Sequence, residues 1–137
     1  MGHRVAITLV VLTLLAGCGG PIRRDELERG VATLGAIAAE GRVVARGVVE
    51  DRTKTTFVRV HLRQLGEDAE HEAEKLSDAE AGPDVAPLKR EAVTLAQDVD
   101  DALGELEVAA TDRVVAGDVE RRLRALADRA DRLEQRL

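Results

Sequence analysis

Residues 86–109 read APLKREAVTLAQDVDDALGELEVA, and small or apolar residues recur in this stretch at alternating intervals of four and three. The recurring positions are Leu88, Ala92, Leu95, Val99, Ala102, Leu106 and Ala109. Because an α-helix completes a turn every 3.6 residues, this spacing places all of these side chains on one helical face. The stretch therefore predicts an amphipathic helix that packs one side against a hydrophobic core.

Three further segments of the chain repeat this spacing. They are residues 25–50 with Leu27, Val31, Leu34, Ala38, Gly41, Ala45 and Val48, residues 55–79 with Val58, Leu62, Leu65, Ala69, Ala73 and Leu76, and the end of the chain with Val119, Leu123, Leu126, Ala130, Leu133 and Leu137. Three breaks separate the segments, at residues 50–54, at residues 81–84 and within residues 110–118. We predict an all-α fold for residues 22–137, an up-down-up-down four-helix bundle made of two helical hairpins.

The residues beside these breaks predict where helices begin. Gly82 can end the second helix, and Asp84 can cap the third with Pro87 in its first turn. Asp118 is the predicted cap of the fourth helix, with a start as early as Arg113 as the alternative.

Two alternatives to this bundle are open at the level of sequence. Residues 42–62 are rich in β-branched side chains and alternate in polarity near Phe57, which is also the pattern of a β-hairpin. The two helical hairpins could also complete their bundle only when two copies of the chain dimerise.

The N-terminus has the pattern of an export signal. Arg4 precedes an apolar run over residues 5–16, and the run ends in Leu15, Ala16, Gly17 and Cys18. This ending resembles the lipobox of bacterial lipoproteins. The resemblance implies that residues 1–17 are a signal peptide and that Cys18 carries a diacylglyceryl group after cleavage. Residues 18–21 would then be the lipid attachment and a short tether, which reaches about 14 Å.

The resemblance also predicts where the protein is located. The apolar run is shorter than the roughly 20 residues that a spanning helix needs, so we expect attachment to the membrane through lipid on Cys18. The location implied is the extracytoplasmic face of the cell membrane. Cys18 is the only cysteine, so the chain can form no intramolecular disulfide.

The charge of the chain limits its partners. The formal net charge is −6, and removal of residues 1–17, which contain one arginine and no acid, takes it to about −7. An acidic chain with a single aromatic residue, Phe57, is a poor match for a phosphate backbone, so we predict no nucleic-acid binding. The predicted partners are the membrane, a protein of the cell envelope or further copies of the chain.

The residues available for catalysis are few. The chain has no Asn, Tyr or Trp, and Ser77 is its only serine. His61 and His71 lie ten residues apart on one predicted helix, about 15 Å along its axis, so they cannot share a metal ion. We therefore predict a protein that is not an enzyme, without cofactor or metal, and a helical interaction or structural module of the cell envelope.

Two features suggest surfaces that could bind something. Phe57 and His61 lie one turn apart and are candidate residues of a ligand pocket facing the third helix, which would make the protein a small-molecule or lipid-binding bundle of the sensory type. The last helix carries six arginines among acids. We expect these arginines to pair within the helix, as Glu120 with Arg124 and Asp128 with Arg132, and with the acidic second and third helices.

Overall fold

A computed structural model describes residues 20–137, which form four α-helices and no strand. The helices are α1 (Arg24–Val49), α2 (Thr55–Asp78), α3 (Ala86–Val108) and α4 (Arg113–Glu134). The predicted all-α four-helix bundle is confirmed. The predicted signal peptide and Cys18 lie outside the described residues.

The β-hairpin alternative for residues 42–62 is wrong, because this segment forms the end of α1, a turn and the start of α2. The helical period matches burial there: Val44, Ala45 and Val48 are all buried in the common core. A strand would instead have turned the adjacent residues Val44 and Ala45 to opposite faces of a sheet.

The closest helix pairs are not those joined by the two shortest turns, at residues 50–54 and 109–112. α1 packs most extensively on α4, and α2 packs on α3, whereas α1 and α3 approach each other across the diagonal. Gly41 permits this approach, since a Cβ placed there would lie 2.5 Å from Cδ2 of Leu103 and 3.1 Å from Cδ1 of Leu123. α2 and α4 occupy the other diagonal, and no Cα atom of one lies within 8 Å of a Cα atom of the other.

The core is built from the predicted stripes, which are buried almost throughout. Its largest fully buried side chains are Leu27, Leu34, Leu62, Leu76, Leu95, Leu103, Leu106, Leu123 and Leu133. Three stripe positions are only half-buried, Ala73, Ala109 and Leu137, and on α2 the residue buried beside Ala73 is Glu72. Gly30 of α1 provides the space, since a Cβ there would lie 2.7 Å from Oε1 of Glu72.

The predicted helix caps at Asp84 and Asp118 are wrong, whereas the alternative start of the fourth helix at Arg113 is confirmed. α3 follows Val85 with no side-chain cap, although Pro87 does lie in its first turn as predicted. α4 begins one and a half turns before Asp118, because Oδ1 of Asp112 accepts hydrogen bonds from the backbone N–H groups of Val114 at 2.9 Å and Val115 at 3.1 Å. Two otherwise unpaired donors are satisfied in this way.

We expect Asp112→Ala to lower the free energy of unfolding by about 1 kcal/mol, because both amide donors lose their acceptor. Urea denaturation followed by circular dichroism measures the change. The matched control is Asp118→Ala, which removes an aspartate within the same helix and should cost no more than about 0.5 kcal/mol. Equal losses in the two variants would contradict the assignment of the cap.

Candidate functional site

The tether to Cys18 begins at one end of the bundle. The backbone N–H of Ile22 donates a 2.7 Å hydrogen bond to the carbonyl of Glu80, so the chain entering α1 is fastened to the segment that follows α2. Gly20, the first described residue, lies two residues after Cys18, a distance of about 7 Å. We call the end of the bundle that contains Ile22 the base, and the end with the α1–α2 and α3–α4 turns the tip.

Phe57 and His61 lie near the tip, on the side of α2 that faces α1. Their rings stack with centroids 5.3 Å apart and an interplanar angle of 14°. Nε2 of His61 lies 2.7 Å from Oε1 of Glu40 on α1, and Phe57 is about half exposed. The imidazole therefore bridges α1 and α2 and does not face α3. The ligand pocket predicted at these residues stays a prediction, and the clefts described below are lined by other side chains.

The remaining candidates for catalysis or metal binding are not brought together. Ser77 lies 16 residues from His61 on the same helix, about 24 Å along its axis. His71 is exposed on the outer side of α2. Within residues 20–137, no group of three or more histidine, cysteine or carboxylate side chains is arranged to hold a metal ion.

A cleft of about 290 Å³ opens at the base, and sequence analysis gave no signal for it. Ile22 and Ala79 provide its apolar lining, while Glu26, Arg29 and Lys75 surround it with charge. Both cations already have carboxylate partners, Arg29 with Asp25 and Lys75 with Glu72. The cleft therefore carries little net charge.

A second cleft, of about 300 Å³, lies between α2 and α3 and is acidic. Glu70, Glu74 and Asp100 line it. Asp100 lies against α2, where a Cβ at Gly66 would be 3.1 Å from its Oδ1. Partial burial, followed by repulsion from Glu70 and Asp101, raises the pKa of Asp100 above its ordinary value.

We expect Asp100→Asn to increase stability at neutral pH. Because the pKa is raised in the folded state, the folded protein binds more protons than the unfolded chain at pH values between the two pKa values. The contribution of Asp100 is therefore most favourable at acidic pH and is lost as the pH rises through that window. The variant should gain up to about 0.5 kcal/mol at pH 7 and lose this advantage at acidic pH.

Urea denaturation of parent and variant at pH 4 to 7 tests this expectation, with Asp128→Asn as the control at an aspartate outside the cleft. A variant that is less stable than its parent at pH 7 would contradict it.

Two arginines of α4, and Arg136 just after it, pair with acids of α3. These pairs are Glu105–Arg122 at 3.5 Å, Asp98–Arg129 at 2.8 Å and Glu91–Arg136 at 2.8 Å. The predicted pair Glu120–Arg124 is confirmed at 3.5 Å. The predicted pair Asp128–Arg132 does not form among the described residues, and α4 does not reach α2 because the two helices lie on a diagonal.

The exposed large hydrophobic side chains of the described part concentrate near the tip. They are Val43, Phe57, Val60, Val108 and Val114. Each lies within about 9 Å, along its helix, of a turn at the tip. The outward surface is thus most apolar at the end farthest from the tether.

Comparisons with known protein families, with curated proteins and with solved structures find no match to this chain. Among the described residues, no helix combines the length and the apolar character needed to cross a membrane. Functional conclusions therefore depend on the residues themselves.

Proposed function

We propose that this protein is a lipoprotein, held on the extracytoplasmic face of the cell membrane by acyl chains on Cys18, and that it acts as a non-enzymatic interaction module. The observation that carries the proposal is the sequence Leu15-Ala16-Gly17-Cys18, placed directly after an apolar run and an N-terminal arginine. A lone cysteine at the end of such a run has no partner for a disulfide and has a clear use as a lipid attachment site.

The position of the tether is consistent with such an anchor. α1 begins at Arg24, six residues after Cys18, and Ile22 is hydrogen-bonded at the base. Anchored acyl chains would hold the base close to the bilayer, with the tip about 39 Å from the base along α1. Two acyl chains bind a membrane stably, whereas one binds reversibly, because each buried CH₂ contributes about 0.8 kcal/mol.

Two properties of the bundle surface support an interaction role. The apolar side chains exposed near the tip would remain accessible when the base is at the membrane. The acids on the outer side of α2 face solvent, so a basic surface could approach them. Both features belong to outer faces, where a protein partner can reach them.

The decisive experiment compares Cys18→Ala with the parent chain in the native cell. We expect the parent to carry the mass of a diacylglyceryl group on its N-terminal cysteine and to fractionate with membranes. The variant should lack this mass and should leave the lipoprotein fraction.

Gly20→Ala is the matched control, since it leaves the cysteine and the residues before it intact and a Cβ at Gly20 has open space around it. It should be lipidated like the parent. An unmodified thiol on Cys18 in the parent, or membrane retention of the Cys18→Ala variant equal to that of the parent, would refute the anchor.

A further inference from the structure

The charges of α2 are separated along its length. Its first half and N-cap carry Lys54, Arg59 and Arg63, and no acid occurs before Glu67. From there to the end of the following turn the acids are Glu67, Asp68, Glu70, Glu72, Glu74, Asp78, Glu80 and Asp84, with Lys75 as the only cation apart from any charge on His71. One helix thus presents a basic half near the tip and an acidic half near the base.

These charges are only partly neutralised within the bundle. Among residues 20–137, the ion pairs of α2 are His61–Glu40, Arg63–Glu107 and Lys75–Glu72. Arg59 in the basic half and Glu70 in the acidic half are exposed and take part in none of these pairs. Both are available to a partner that carries the opposite charge.

α2 also has a second stripe, on its outer side away from the core. Its members are Arg59, Arg63, Glu67, Glu70 and Glu74, again at intervals of three and four, and all are exposed. A shallow groove of about 400 Å³ runs along the middle of this stripe, lined by Val60, Arg63, Gln64 and Glu67. Intervals of three and four on an outer face are the pattern with which helices pair side by side.

We propose that the outer face of α2 binds the same face of a second copy of this chain, with the two helices antiparallel and a two-fold axis near Gln64. In this register, Arg59 of each copy faces Glu70 of the other. On the same face, Arg63 of each copy comes level with Glu67 of the other, close to the axis. The contact is isologous, as two-fold dimers require.

Charge complementarity selects a second copy in the antiparallel direction. Two α2 helices in parallel would place basic half against basic half and acidic half against acidic half, which is repulsive. In antiparallel pairing, the basic half of each helix faces the acidic half of the other, so opposite charges meet at two places in the contact. The arrangement is compatible with two anchors in one bilayer: when the two-fold axis coincides with the membrane normal, the bundles lie flat and both tethers can reach the lipid.

The inference rests on the proposed function and specifies the partner within that interaction role. A contact along one helix is at the small end of specific interfaces, so we expect a dissociation constant in solution of the order of micromolar. Membrane anchoring would favour the dimer by raising the local concentration of copies.

A charge exchange tests the pairing in the mature chain, studied by sedimentation equilibrium in density-matched detergent. We expect the parent to dimerise, and Arg59→Glu or Glu70→Arg alone to weaken the dimer about ten-fold or more, because each creates two like-charge contacts. The variant that combines both substitutions should return to within about three-fold of the parent, since opposite charges then face each other again across the contact, with their signs exchanged.

The controls are Arg90→Glu and Glu28→Arg, which make the same charge changes on α3 and α1, outside the proposed contact. They should leave the dissociation constant unchanged. A parent that stays monomeric at all concentrations, a dimer insensitive to Arg59→Glu, or a double variant as weak as the single ones would each overturn the proposal. None of these results depends on whether Cys18 is lipidated, which the mass measurement decides separately.

Discussion

Gly41→Leu is expected to destabilise the bundle by roughly 3 kcal/mol or more. Gly41 lies where α1 meets both α3 and α4, and even a Cβ at this position would overlap Leu103 and crowd Leu123. Both leucines are fully buried, so neither can move aside without displacing other core side chains. To accommodate the leucine side chain, the helices would have to move apart, or this segment of α1 would have to move out of the core.

The matched control is Gly104→Leu, because Gly104 is an exposed glycine of α3 and a Cβ there has nothing within 4 Å. This substitution should stabilise the protein by about 0.8 kcal/mol through helix propensity. Urea denaturation followed by circular dichroism at 222 nm gives both values. If Gly41→Leu were as well tolerated as Gly104→Leu, α1 and α3 would not approach each other at Gly41.

Leu103→Ala is expected to cost about 2–5 kcal/mol, because it removes a fully buried side chain and leaves a cavity. The same change creates the space that a side chain at Gly41 lacks. Gly41→Ala alone adds helix propensity but forces a Cβ against Leu103, whereas in the Leu103→Ala background this Cβ occupies part of the cavity.

The two substitutions should therefore not be additive. In a double-mutant cycle, Gly41→Ala should be more favourable by about 1 kcal/mol or more in the Leu103→Ala background than in the parent. Gly104→Ala, introduced into both backgrounds, supplies the reference for helix propensity alone. Equal effects of Gly41→Ala in the two backgrounds would exclude the contact.

The helices could be predicted because each has its own repeating stripe, which needs no knowledge of the neighbours. α1 follows its predicted stripe at every position from Leu27 to Val48. Which helices pack most extensively could not be predicted, since the short turn suggests α1 with α2, whereas α1 packs mainly on α4, where Gly41 fits against Leu123. The burial of Glu72 could not be predicted for the same reason, because the space for its side chain is provided by Gly30 of another helix.

The ends of helices were predicted less well than their faces. Asp112 and Asp118 are both reasonable caps by residue type, and the choice between them depends on which aspartate has the two amide donors of the first turn within reach. The partner of His61 could not be predicted either. Glu40 lies beside His61 only because of the register in which α1 packs against α2. The lipid-attachment site is the opposite case: it is predicted from adjacent residues, and Cys18 lies outside the described part of the chain.

The close fit of α1 has a mechanical consequence for a chain held by its N-terminus. A pull on the tether first loads the single hydrogen bond between Ile22 and Glu80, and then acts along the axis of α1. Gly35 packs on Ala130, and Gly41 packs on Leu103 and Leu123, so α1 cannot slide lengthwise without lifting over these side chains. A pull along the axis of α1 is therefore shared by many side-chain contacts at once. We expect α1 to resist being pulled out lengthwise far better than it would resist being separated from the bundle one turn at a time.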